Sequence, residues 1–436
     1  GVARFVGISY LVSGIWYPET EIQNTKYKIQ DTKYYILEYA AQDKLYVPKG
    51  LERKLSRYVG LTEPKINRLG GSAWEKTKEK VKEEVAKFAR ELLRIYAQRE
   101  TALRPAYSAD PEMGRILSDS FPHQETPDQI KTLSEIERDL GQTKPMDRLV
   151  CGDVGFGKTE IALRTIVNVV SAVKQALFLC PTTILAHQHF QNFKERLGSL
   201  PLRLALLTRL QNKSEQKQII QDFGRGKIDV ILGTHRLLSK DLQNQIGQLG
   251  LLVIDDEQKF GVRQKDKLKE LRAALDVLSL SATPIPRTRY LALSSLREIS
   301  FIQTPPPGRL EIETVVSLWS EKIIKEAVFQ ELKRKGQIYY LHNRVSTIEK
   351  TKLSLEKLLP GVKISVVHGQ LKEKEMIKIM LDFRARKSQL LLATTIIENG
   401  LDLANVNTII VEDASRLGLA QAYQIRGRVG RFQKQA

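Results

Sequence analysis

Cysteine is nearly absent from this sequence. Cys151 and Cys180 are the only two in 436 residues, and neither has a companion at metal-ligand spacing. That argues against a disulfide framework and against a zinc site, and makes a reducing compartment the expected setting. The six histidines are scattered; His187 and His189 stand two apart, a spacing that sends them to different faces of a helix. No run approaches the roughly 18 consecutive apolar residues that a membrane span needs. The opening GVARFVGISY has no basic stretch leading into an apolar core, so no secretory signal is expected. No segment is of low complexity, and no internal sequence repeat stands out.

What the chain has in excess is positive charge. Lys and Arg number 69 against 50 Asp and Glu, a net +19. This points to a polyanionic partner, with nucleic acid the first candidate. A composition 42% hydrophobic and 27% charged fits a folded protein and excludes disorder throughout. At about 150 residues per domain the length allows about three domains.

Residues 1–66 read as strand-rich. YYILEYA (Tyr34 to Ala40) and KLYVP (Lys44 to Pro48) flank a polar turn at Gln42-Asp43, the pattern of a small antiparallel barrel. Gly1 opens the chain within an element and without an initiator methionine, as a piece of something longer would. Residues 67–108 carry a connecting helix from Ser72 to Arg99. Trp74, Val81, Val85, Phe88, Leu92, Ile95 and Tyr96 recur there at helical spacings, Ser72 and Glu75 suit a capping box, and the lysines and glutamates between form a solvated face. Residues 109–304 and 305–436 each alternate apolar strands with amphipathic helices, as in βαβ units around parallel sheets. Between them QTPPPGRLE (Gln303 to Glu311) reads as a stiff linker.

The strongest chemical signal is Gly152-Asp153-Val154-Gly155-Phe156-Gly157-Lys158-Thr159, which follows the strand Arg148 to Cys151 and opens a helix. It is the phosphate-binding loop G-x-x-x-x-G-K-S/T in its required setting. Gly152, Gly155 and Gly157 let backbone N–H groups close around phosphates, aided by the helix N-terminus. Lys158 reaches the β- and γ-phosphates of ATP and the Thr159 hydroxyl ligates Mg²⁺. Next comes Leu251-Leu252-Val253-Ile254-Asp255-Asp256, an apolar strand ending in acids. Asp255 is the natural holder of the Mg²⁺ shell, and Asp256 is placed to orient the attacking water.

Shorter elements line up in order. Phe121 offers a stacking face and Gln129 an amide for an adenine edge, both ahead of the phosphate loop. Thr182 and Thr183, then Thr234, His235 and Arg236, follow strands and supply the donors that grip a phosphodiester without reading bases. Ser281 and Thr283 end another strand and can couple nucleotide to those contacts. The second α/β block adds Thr394 and Thr395, Gly400 and Asp402, and Gln424, with Arg428 and Arg431 as an arginine finger supplied within the chain.

Together, MDRLVCGDVGFGKTE, GTHRLL, LSATPIPRT, VHGQ, TTIIENGLDL and GLAQAYQIRGRVGR resemble the bacterial transcription-repair coupling factors, superfamily-2 translocases. The opening GVARFVGI, SRY (Ser56 to Tyr58) and LGGSAWEKTKEKV resemble that family's polymerase-interacting domain and the helix after it, so the likeness covers essentially the whole chain. It implies two RecA-like lobes, residues 109–304 binding ATP and residues 305–436 completing the motor, behind the barrel and connecting helix. In the second lobe the resemblance gives Thr394 and Thr395 DNA-contacting, Gly400 and Asp402 ATP-binding, and Gln424 coupling roles. It implies an ATP hydrolase that moves on double-stranded DNA, grips stalled RNA polymerase through residues 1–66 on the β subunit, and pushes it off lesions in transcription-coupled repair. Excision-repair proteins are engaged by modules outside this chain. The implied cofactors are ATP and Mg²⁺, and the implied setting is a bacterial cytoplasm, with a plastid stroma as the alternative.

The sequence also departs from the family. The acidic box, usually Asp-Glu-Glu followed by His or Gln, reads Asp255-Asp256-Glu257-Gln258, so the water-orienting acid is one methylene short. Displacements on the order of 1 Å at such a group cost about 10²-fold in rate. Normal ATP binding with slowed hydrolysis is therefore expected. Asn399 stands where Ser or Thr is usual and Ala404 where Pro is usual. The helical hairpin that follows the arginine motif in the family lies past Ala436. Two other readings stand beside the translocase: a polymerase- and DNA-binding scaffold with an impaired motor, and a RecG-like fork-remodelling helicase.

Overall fold

The computed structural model describes residues 2–12, 15–18, 33–56, 66, 68, 72–108, 110–272, 275–282, 297–308, 310–394, 403, 405–430 and 436. The chain divides into two compact units, Gly1–Arg94 and Ile95–Ala436.

In the first unit, β1 (Arg4–Val12), β2 (Ile15–Pro18), β3 (Lys33–Glu38) and β4 (Lys44–Pro48) form an antiparallel sheet of order β2-β1-β3-β4. Tyr35 lies opposite both Ile8 and Val47, and Val47 is buried. The turn between β3 and β4 is centred on Ala41 and Gln42, both left-handed (φ 65° and 62°), one residue ahead of the expected Gln42-Asp43. Paired positive φ values match the right-handed twist of the flanking strands. Among the described residues the ladder is open, with β2 and β4 at its edges.

Helix α1 (Ser72–Thr101) runs 30 residues. Its last turn belongs to the second unit, where Arg99 donates Nη2 to the Met146 carbonyl at 2.7 Å and Nη1 to the Leu275 carbonyl at 3.1 Å.

The first lobe of the second unit contains, in chain order, α2 (Pro111–Asp119), α3 (Pro127–Leu140), β5 (Asp147–Gly152), α4 (Lys158–Ser171), β6 (Gln175–Leu179), α5 (Thr183–Arg196), β7 (Leu204–Leu207), α6 (Lys213–Gly224), β8 (Val230–Gly233), α7 (Lys240–Gln243), β9 (Leu249–Asp255), α8 (Val262–Arg272), β10 (Asp276–Ser281) and β11 (Glu298–Ile302). The strands form one parallel sheet of order β11-β5-β10-β9-β6-β8-β7. Both faces are covered, which is why these strands read as continuous apolar runs. Ala176, Phe178, Leu251 and Val253 pack into one helical layer, and Leu177, Leu179, Leu252 and Ile254 into the other. The chain leaves β5 and crosses to β6 three strands away, so the C-terminal ends of β5, β10 and β9 flank a switch point, where ligands of open α/β sheets bind.

The second lobe comprises α9 (Glu321–Lys333), β12 (Gln337–Leu341), α10 (Ile348–Leu358), β13 (Ile364–Val367), α11 (Glu373–Arg384), β14 (Leu390–Ala393), β15 (Val406–Val411) and α12 (Leu419–Arg426), with a parallel sheet of order β13-β14-β12-β15. That order reproduces β7-β8-β6-β9 of the first lobe. The agreement extends to single bonds. Buried Gln175 donates its amide to the carbonyls of Phe223 and Ile228, and buried Gln337 donates to those of Phe383 and Ser388. Asp256 and Asp413 are left-handed residues just past β9 and β15, each opening a 3-10 turn. No repeat stands out in the sequence, yet the two lobes expected from the resemblance share this strand order and these bonds. Asp222, Phe223, Lys227, Leu232 and Thr234 recur as Asp382, Phe383, Lys387, Leu392 and Thr394.

The linker is fastened at its start. Gln303 and Thr304 donate their backbone N–H groups, at 2.8 and 2.7 Å, to Oδ2 of Asp128 in the first turn of α3.

Candidate nucleotide site and interlobe cleft

The phosphate loop leaves β5 at Gly152 and enters α4 at Lys158, with Gly155 and Gly157 left-handed (φ 81° and 80°). A Cβ on Gly157 would lie 2.3 Å from Nε2 of Gln129. Gln129 does two jobs in this structure. Its Oε1 accepts from the Thr126 N–H at 2.9 Å, completing the capping box of α3, and its Nε2 donates to the Phe156 carbonyl at 2.9 Å. The amide expected to meet an adenine edge therefore fastens the loop to the preceding helix. Phe121 has Arg164 and Arg196 guanidinium carbons 5.3 and 5.5 Å from its ring centre and His123 edge-on at 5.5 Å.

The Lys158 ammonium donates to the carbonyls of Gly152 and Asp153 at 2.7 and 2.8 Å. Burial pushes its pKa down to about 8, against the pull of Asp256 and Asp255. Burial also works to raise the Asp255 carboxyl, but His189, Lys158 and Arg428 outweigh it and hold it below the usual value. Burial and the neighbouring Asp255 push Asp256 upward. Asp256 donates its N–H to the Leu280 carbonyl at 3.1 Å, and its Oδ2 lies 3.8 Å from the Lys259 ammonium. Glu257 is engaged elsewhere, with Arg272 at 2.7 Å and Arg297 at 3.5 Å; these guanidinium groups overcome burial and hold it at about 2. It is no substitute for Asp256. Ser281, at the end of β10, donates to Gln258 of the acidic box at 3.2 Å.

From the second lobe, the loop after α12 reaches this site. A Cβ on Gly427 would lie 2.7 Å from the Cβ of Val154 in the phosphate loop. Arg428 is buried, and its charge acts on Lys158, Asp255 and Asp256 alike. Gln424 is buried one turn earlier. Arg431, Gly400, Asp402, Thr283 and Thr395, with Asn399 and Ala404, lie outside the described residues.

The expected phosphodiester contacts fare differently from one another. Thr182 caps α5 by accepting from the Leu185 N–H at 3.3 Å. Thr183 donates to Oε1 of Glu373, from the other lobe, at 3.3 Å. Thr234 and Thr394 are buried at the tips of β8 and β14. His235 is shifted down by burial and by Arg209. Arg236 is committed within its own lobe, donating to both oxygens of Asp241 at 2.7 and 2.6 Å and to Gln216 at 2.7 Å.

Three residues of this region escaped the sequence reading: His189, Arg209 and Glu373. For His189 a signal existed. Leu185, Ala186, His189 and Phe193 form the buried stripe of α5, and a histidine on an apolar stripe calls for a polar partner inside. That partner is Asp255.

Family models match in the same order as the elements. Residues 1–59 match the CarD-like/TRCF RID domain, 126–291 the DEAD/DEAH box helicase and 320–433 the helicase conserved C-terminal domain. The transcription-repair-coupling factor of Bacillus subtilis is 44% identical across all of this chain, and that of Escherichia coli 43%. The chain belongs to the transcription-repair-coupling factor family.

It spans only 36% and 37% of the length of those two relatives of the family. Among solved structures, RecG bound to a three-way DNA junction superposes with a TM-score of 0.65 at 26% identity, over 97% of this chain and 66% of that one. The DEAD-box helicase Mss116 bound to ssRNA and UDP-BeF superposes at 0.61 and 17% identity, over 75% of this chain and 72% of that one, a likeness of fold alone.

Within this coupling-factor site, Thr159 and Asp255 offer the hard oxygen donors that Mg²⁺ prefers. No cluster of three or more His, Cys, Asp or Glu side chains able to cage a metal occurs among the described residues. No helix among the described residues is long and apolar enough to cross a membrane.

Proposed function

We propose that the two lobes form the motor of an ATP-dependent double-stranded DNA translocase, and that the first unit binds RNA polymerase, so that stalled polymerase is displaced from lesions. The observation that carries this reading is the approach of Gly427, next to Arg428 in one lobe, to Val154 in the phosphate loop of the other. A site divided between two bodies can change their spacing as its contents change.

In this reading Lys158 leaves the Gly152 and Asp153 carbonyls for the β- and γ-phosphates of ATP. Thr159 and Asp255 hold Mg²⁺, which neutralises charge developing on the phosphates. Asp256 orients the attacking water, Arg428 and Arg431 stabilise the transition state, and Phe121 and Gln129 border the base. Gln129 must exchange its Phe156 bond for an adenine edge if it is to read the base. Ser281 and Gln258, in contact, pass the state of the acidic box to the neighbouring strand, with Thr283 and Gln424 in the same role. Thr182, Thr183, Thr234, His235, Thr394 and Thr395 line the DNA path. Arg236 acts there by stiffening the loop after β8.

The open edge strand β4 supports the polymerase assignment. An edge presents unpaired backbone groups for strand addition, and Pro48 closes it at one end. Of the two edge strands among the described residues, β4 is the one we assign to the contact with the β subunit. The bacterial relatives support a bacterial cytoplasm.

The test is displacement of a stalled transcription complex by this chain, with and without ATP. Loss of the complex only with ATP is expected. Asp256 favours a second reading, a scaffold with an impaired motor, which predicts DNA binding with no stimulation of ATPase at low salt. A preference for branched over linear DNA with no polymerase capture would replace both with fork remodelling.

A further inference from the structure

The hydroxyl of Thr183 and the guanidinium of Arg209 share one acceptor, Oε1 of Glu373. Thr183 and Arg209 belong to the first lobe, and Glu373 is the first residue of α11 in the second. A carboxylate has therefore been placed on a guanidinium and on the hydroxyl of the residue that opens α5. Those are the donors that hold a phosphate oxygen. His235 adds to the field around the carboxylate from the first lobe. The Glu373 carboxylate stands in for a phosphodiester oxygen.

Two further observations bear on whether this contact is permanent. The second oxygen, Oε2, is buried with no hydrogen-bond partner, so the seat satisfies only half of the anion it holds. A buried polar atom left unpaired disfavours the arrangement that contains it. Meanwhile the Arg209 side chain is 61% exposed, so water competes for it and the ion pair is weak. Both features describe a contact made to be broken.

We propose that Glu373 is an internal competitor for DNA: it occupies a phosphate seat on the first lobe and clasps the two lobes until duplex DNA displaces it, whereupon Arg209 becomes a DNA contact. This rests on the DNA path proposed above and adds to it a residue that binds DNA and one that excludes it.

Glu373→Gln and Arg209→Gln break the same ion pair, and a purely structural pair would respond alike to both. The clasp requires opposite responses, read by fluorescence anisotropy with a labelled 30-base-pair duplex. Glu373→Gln should tighten duplex binding two- to fivefold, the range that a weak, partly exposed pair supports. Arg209→Gln should weaken it and lower the slope of log affinity against log salt by about 0.9, the signature of one lost phosphate contact. Equal melting temperatures would show that neither variant has lost its fold. Unchanged or weaker binding by Glu373→Gln, with wild-type binding intact, overturns the clasp alone. Absence of duplex binding by the wild type at 50 mM salt overturns both the clasp and the translocase reading.

Discussion

The Nε2 atom of His189 lies 3.3 Å from Oδ2 of Asp255. The ring is fixed by its surroundings, 5.0 Å from the Phe178 ring and 6.2 Å from that of Phe193. An imidazole clamped between aromatic rings, with one nitrogen on a carboxylate, selects a single rotamer for that carboxylate. The second lobe also sets a histidine on an acid at this end of its sheet, though from a different position: His342, directly after β12, places Nδ1 2.7 Å from Glu412, at the tip of β15.

Removing the imidazole should therefore loosen the Asp255 carboxylate without touching the phosphate loop. In His189→Ala we expect nucleotide affinity measured without Mg²⁺ to be unchanged, and the Mg²⁺ concentration for half-maximal effect to rise about tenfold, the usual cost of losing such a partner. His189→Gln, which retains a donor, should recover part of it. Titration of a fluorescent ADP analogue against Mg²⁺ reads both. A uniform loss of affinity with and without the ion would show that the histidine only fills the core.

Asp256 poses a question of reach. The residue sits in the left-handed region at φ 47°, ψ 54°, where aspartate is tolerated better than most side chains. Asp256→Glu should raise DNA-stimulated ATP turnover, by as much as about 10²-fold if water placement limits the rate. Nucleotide binding should not tighten. A small drop in melting temperature is expected as well, because glutamate fits that backbone less readily. Turnover equal to that of the parent chain would remove Asp256 as the limiting group.

Much of this architecture could be read from the chain before any coordinates. Parallel strands buried on both faces announce themselves as unbroken apolar runs, and the glycines of the phosphate loop have a spacing that few other structures need. The likeness of the two lobes was legible only through the family resemblance, because they share buried positions and turn geometry rather than a run of identical residues. Gln175 and Gln337 are the telling pair: each satisfies two carbonyls inside its lobe, and a lone glutamine before an apolar run carries no such message. Contacts between lobes were harder still. Nothing in the local pattern of Glu373 or Arg209 says that they meet, since 164 residues separate them. Arg236 was legible only in part: its position after a strand suggested a phosphate contact, while the pairing of both ends of its guanidinium with Asp241, five residues on, was not foreseen.

Stability should depend on one buried cation. Arg148 is 1% exposed in β5, with Nε 2.7 Å from Asp139, and Nη1 3.0 Å from Glu135 and 2.8 Å from the Ser300 hydroxyl. Arg148→Ala would leave Asp139 in low-dielectric surroundings without its cation. Breaking one side of such a cluster costs about 3–5 kcal/mol. The urea midpoint of the first lobe should fall accordingly. Arg148→Ala with Asp139→Asn should recover part of the loss. Additive losses would show that the two side chains act independently.

The approach of Gly427 to Val154 gives the sharpest test of a shared site. Alanine at 427 would place its Cβ 2.7 Å from that of Val154, closer than two such atoms tolerate, so one loop must withdraw. The first lobe alone builds the phosphate loop, so Gly427→Ala should bind nucleotide nearly as the parent does. What it should lose is DNA-stimulated ATPase, by about 10²-fold if Arg428 is displaced by on the order of 1 Å. Val154→Gly removes the opposing Cβ together with both methyl groups. In the double variant the loops have room to settle closer, and the activity should return in part. Residues in contact couple in such a cycle, whereas residues more than about 7–10 Å apart simply add. A double variant no more active than Gly427→Ala would mean that the two loops do not need to meet for hydrolysis, and the arginine motif would lose its place in the reaction.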